Sequence, residues 1–78
     1  MKIYGELETL CWNLACLRRR EGLSRQEMAK LLGIGVESMK RVEEGILPPG
    51  LRVSVLFRAA GHFGISPADL LTPGLQEK

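Results

Sequence analysis

Apolar residues in the first part of the chain recur at three- and four-residue steps: Leu7, Leu10, Leu14 and Leu17. That period puts them on one core-facing stripe of a helix from about Gly5 to Arg20, closed by Gly22. A second stripe, Met28, Ala29, Leu31 and Leu32, follows Ser24, a good N-cap, with Gln26 and Glu27 in the first turn. Gly33 stops that helix, because glycine reaches the left-handed conformation a helix end often needs. Ile34 starts the next unit, Met39 and Val42 continue the stripe, and Gly45 ends it. The spacing predicts helices over about 25–32 and 36–43. Ala29 and Gly33 are small, as two steeply crossing helices require where they approach. Two short helices joined by a tight turn within residues 23–45 are the plan of a helix-turn-helix, whose second helix can lie in the DNA major groove.

Downstream, Gly45, Pro48, Pro49 and Gly50 exclude helix. A fourth helix is expected from about Arg52 to Phe63, with Val53, Leu56, Ala60 and Phe63 on one face and Gly64 at its end. Ser66 as cap and Pro67 at the first helical position start a short fifth helix over about 67–71, whose Leu70 and Leu71 close the core. Thr72 onward reads as a frayed tail. The expectation is an all-α single domain over residues 1–72 with a flexible tail over 73–78.

Composition bounds what such a chain can do. Seventy-eight residues allow one small domain with a marginal core. No apolar run approaches the roughly 20 residues that span a bilayer, and acids stand where a secretory signal would be apolar, so a cytoplasmic location is expected. Cys11 and Cys16 lie five apart on different faces of the first helix and read as reduced thiols. His62 is the single histidine, best read as a helix-end cation; no metal site, cofactor or catalytic group is expected. One histidine and no nucleophile–base pair argue against an enzyme.

The net charge of +2 is weak, but its distribution is not even. Residues 18–41 carry +4, from Arg18, Arg19, Arg20, Arg25, Lys30, Lys40 and Arg41 against Glu21, Glu27 and Glu37, whereas residues 42–51 carry −2. Positive charge therefore gathers where phosphate contacts would be wanted, although a solvated helix face produces the same run.

The stretch LRRREGLSRQEMAKLLGI, the ending RVEEG, the proline after it and FGISPADLL resemble the phage-repressor and Cro-like family of helix-turn-helix DNA-binding domains. The resemblance spans about residues 10–71 and implies the five-helix lambda-repressor-like fold. It also implies a buried pair between Arg18 and Glu43 that fixes the register of the third helix. It implies a phosphate contact at Arg25, beside Gln26, at a position where relatives commonly have a glutamine that also braces the third helix. Gly35, Val36, Glu37, Ser38, Lys40 and Arg41 fill the positions that face or border DNA. Gly35 replaces the usual Ser or Thr cap; Val36 offers contact to a thymine methyl and Glu37 can accept from cytosine N4. In relatives the loop after Gly45 follows the phosphate backbone; here Arg52 is placed to do so, or Ile46 and Leu47 fold back on the core.

Double-stranded DNA is the implied partner, bound by a homodimer on a two-fold site. Trp12, like Tyr4, falls off the leucine stripe; it marks either that dimer surface or packing within the chain. The rival reading keeps the fold as a protein-interaction module or antitoxin with weak DNA readout.

Overall fold

A computed structural model describes residues 5–73, apart from the side chains of Glu6 and Pro49. It is all-helical over those residues: α1 (Gly5–Arg20), α2 (Arg25–Leu32), α3 (Val36–Glu43), α4 (Arg52–Phe63) and α5 (Pro67–Leu70). The expectations for Tyr4 and for the end of the tail, 74–78, fall outside the described residues.

Local chemistry accounts for the boundaries. At the start of α2, the Ser24 hydroxyl accepts from Glu27 N–H at 3.0 Å while the Glu27 carboxylate accepts from Ser24 N–H at 2.8 Å. Each side chain satisfies an N–H that the first turn leaves without a helical partner. Those bonds from Ser24 hold the Glu27 carboxyl below its ordinary pKa. Gly33, at φ +75°, ends α2 in the left-handed conformation. Its N–H bonds Lys30 O and the next N–H, of Ile34, bonds Ala29 O, satisfying the last carbonyls. The sequence also implied close helix approach at Gly33, and there the structure differs. A Cβ at Gly33 would meet only the tip of the Arg58 side chain, so its φ rather than crowding between α2 and α3 requires glycine. Gly35, the N-cap of α3, provides no side-chain bond. Ser66 caps α5 by accepting from Asp69 N–H at 3.1 Å.

All five helices feed one core. Leu10, Leu14 and Leu17 of α1 meet Met28 and Leu32 of α2, Met39 and Val42 of α3, Val55 and Ala59 of α4, and Leu70 of α5. Three expectations need correction. The face of α4 holds only in part: Ala60 is buried and Leu56 and Phe63 pack against the core as expected, but Val55 and Ala59 are also buried, whereas Val53 is 65% exposed and lies outside the core. The loop after α3 is not free of helix, since Pro49–Leu51 form a 3-10 turn leading into α4. Only half of its apolar pair folds inward: Leu47 is buried and Ile46 exposed.

Thr72 is likewise no frayed residue. Its carbonyl accepts from the Asn13 amide at 3.1 Å and its hydroxyl donates to Ala68 O at 2.8 Å. Asn13 is wholly buried and donates also to Leu70 O at 2.7 Å, tying α1 to the chain after α5. This clasp sits on the leucine stripe itself, at the i+3 position from Leu10. A polar residue at a stripe position was the available signal for it.

Candidate nucleic-acid interface

The eight residues of α3 divide sharply. Met39 and Val42 point into the core and are fully buried. Val36, Glu37, Lys40 and Arg41 are exposed, and at 100° per residue they share one arc of the helix. Ser38 is half-buried at the edge of that arc. Glu37 stands in the first turn, Lys40 and Arg41 in the last, each sign matching the helix dipole. Of the predicted reading residues, the structure thus brings four onto one outward face and sets Ser38 aside. Gln26 and Arg25 are exposed at the start of α2, where unpaired N–H groups favour an anion.

What holds α3 at its angle is a three-residue ion cluster. Glu43, the last residue of α3, has a side chain only 4% exposed. Its Oε2 accepts from Arg18 Nε, and its Oε1 accepts from Arg18 Nη2 at 3.3 Å, a two-pronged contact. Arg18 Nη1 also donates to Leu23 O at 2.9 Å, so α1, the turn before α2 and α3 are bound through one guanidinium. Arg25 Nε donates to Glu43 Oε1 at 2.9 Å. Burial pushes the Glu43 carboxyl up, but the hydrogen bonds and charges of Arg18 and Arg25 outweigh it and hold the carboxyl below its ordinary value.

The pair implied by the repressor resemblance is therefore present, and the bracing of α3 from position 25 that it also implied is made by Arg25 onto the same carboxylate. Arg25 braces α3 through Nε and leaves both terminal amino groups without a partner among the described residues. No local sequence pattern links residues 25 and 43; their meeting depends on how α2 crosses α3.

The described residues contain no cluster of His, Cys, Asp and Glu fit to hold a metal ion. None of their helices is long and apolar enough to cross a membrane. Cys11 is buried and Cys16 half-buried, both as free thiols. His62 is exposed at the last turn of α4, its ring edge-on to Phe63 at 4.9 Å between centroids.

Two short helices around a glycine turn, with a braced outward face on the second, define a helix-turn-helix protein. The model of the helix-turn-helix domain family matches residues 10–72, and the chain belongs to that family. No curated protein and no solved structure gives a significant match to it. Membership implies binding to DNA, the partner that the exposed positive residues of α2 and α3 suit.

Proposed function

We propose that this protein is a sequence-specific DNA-binding regulator of transcription, of the repressor and Cro type, working as a homodimer in the cytoplasm and without enzymatic activity. In this reading α3 enters the major groove. Lys40 and Arg41 contact phosphate or guanine, Val36 and Glu37 meet base edges, and Arg25 with Gln26 grips phosphate at the start of α2. The observation that carries it is the division of α3 between a buried face and a cationic outer face, braced by Glu43. A helix fixed at its far end by two arginines presents its outer residues in one orientation, which base reading demands.

Selection of bound sequences from a random DNA pool at near-physiological salt tests this. A palindromic enriched site is the expected outcome. On that site, Lys40→Ala with Arg41→Ala should lower affinity at least about tenfold and flatten the salt dependence by about one to two phosphate contacts. Unchanged affinity in a folded double variant would sink the proposed face. A protein-interaction role is the second reading, favoured by the uncapped start of α3 and the exposed Val36 and Glu37. Absence of any enriched sequence would select it.

A further inference from the structure

The outer face of α1 carries a stripe that DNA reading leaves unused. Glu8, Trp12, Ala15 and Arg19 line one open hollow of about 230 Å³, whose other wall is the end of α3 and the turn after it. They follow at i, i+4, i+7 and i+11. Eleven residues make about three turns and about 16 Å of rise, so Glu8 and Arg19 stand on nearly the same side of the helix. Glu8 and Arg19 are exposed and Trp12 is 58% exposed, while Ala15 is buried at the floor. Neither Glu8 nor Arg19 takes part in a salt bridge among the described residues. A large amphipathic ring standing in water beside a hollow is the composition of an interface core, not of a solvated helix face.

This stripe matches itself under a two-fold rotation. The midpoint of residues 8 and 19 is also the midpoint of residues 12 and 15. A second α1 laid antiparallel across that point sets Glu8 against the partner's Arg19 and Arg19 against the partner's Glu8. Trp12 then lies over the partner's Ala15, where the small side chain leaves room. A parallel arrangement sets like charge on like. The other exposed apolar pair, Val53 and Phe57 on α4, has no such property. Residues 45–68 around it hold Arg52, Arg58 and His62 and no acid, so a two-fold there opposes positive charges.

We propose that two copies of this chain pair through antiparallel α1 helices, with Trp12 at the centre and reciprocal Glu8–Arg19 contacts at both ends. The proposal names the dimer surface that the DNA-binding reading calls for and rests on that reading for its purpose, but it is tested without DNA. The contact is isologous, so it closes at two subunits.

The full chain is measured by sedimentation equilibrium over a wide concentration range, with emission of Trp12, the single tryptophan, recorded alongside. A monomer–dimer equilibrium with a blue shift of emission as the dimer forms is expected. Glu8→Arg and Arg19→Glu should each weaken the dimer at least about tenfold by placing like charges together. Combined in one chain, the two changes should restore most of the affinity, because residues 8 and 19 are too far apart within one helix to compensate each other there. Circular dichroism checks that each variant folds. A monomer at every concentration, a dimer indifferent to the single reversals, or no restoration in the double variant would each overturn the proposal. The Glu8→Arg protein, whatever its oligomeric state, should still bind a half-site through α3. If it does while the dimer predictions fail, DNA reading stands and this surface falls. If the dimer predictions hold and Lys40→Ala with Arg41→Ala leaves DNA affinity unchanged, the reverse follows.

Discussion

Glu43 joins three elements with one carboxylate, and its environment makes a sign-specific prediction. Its folded pKa lies below the ordinary glutamate value, so the cluster stabilises the fold above that value and loses its contribution as pH falls through the folded one. Glu43→Gln leaves Arg18, whose side chain is itself only 16% exposed, short of its counter-charge. Removing one partner of a buried pair costs about 3 kcal/mol or more, and partial exposure of Arg25 argues for the lower end. Denaturant titrations near neutral pH should show that loss. The gap between wild type and Glu43→Gln should then narrow as pH drops below about 4, the ordinary glutamate range. A gap independent of pH would mean that Glu43 acts by packing and not by charge.

Among the elements, α3, like α4, starts without a side-chain cap, and at α3 a single substitution can supply one. Gly35 has an extended backbone, φ −76° and ψ 160°, and nothing within 4 Å of a Cβ built there. Serine fits that conformation and would accept a hydrogen bond from the first turn. Gly35→Ser should therefore stabilise the protein by about 0.5–1 kcal/mol, partly through the cap and partly by restricting the unfolded chain. A rise in melting temperature of a few degrees is the measurable result. The capped helices were legible in the sequence for the same reason that α3 was: Ser24, Gly33, Gly45, Gly64 and Ser66 act on backbone groups within a few residues of themselves. The face of α4 was legible only in part: Leu56, Ala60 and Phe63 meet the core as expected, Val53 does not. Val53, Val55, Leu56 and Phe57 surround that helix with apolar side chains, so its sequence permits two neighbouring stripes. Packing against α2, α5 and the 3-10 turn selects the one containing Val55 and Ala59.

For the whole molecule, closure depends on Asn13. Its amide reaches carbonyls 57 and 59 residues away and holds the chain after α5 against α1. Asn13→Ala would leave the Leu70 and Thr72 carbonyls without that donor and should cost about 1–3 kcal/mol. A lower urea midpoint with little change in slope is the expected form of the loss. Asn13→Leu tests the alternative that the site merely needs volume; it should not restore stability, because the carbonyls stay unpaired.

The sequence by itself determined the helices, their caps, the glycine turn between α2 and α3, and the inward stripe of each helix, in α4 with the exception of Val53. These follow from interactions spanning a few residues, which neighbouring side chains decide. It also carried, by resemblance, the pairing of Arg18 with Glu43. The resemblance likewise set residue 25 to brace α3. Only the tertiary structure decided that Arg25 does so through Glu43, that Asn13 clasps α5, that Val53 faces water, and that Trp12 stands exposed between Glu8 and Arg19. Each of these depends on which distant segment comes to lie alongside. Burial and ion pairing between remote positions are properties of the packed chain, and no local period encodes them.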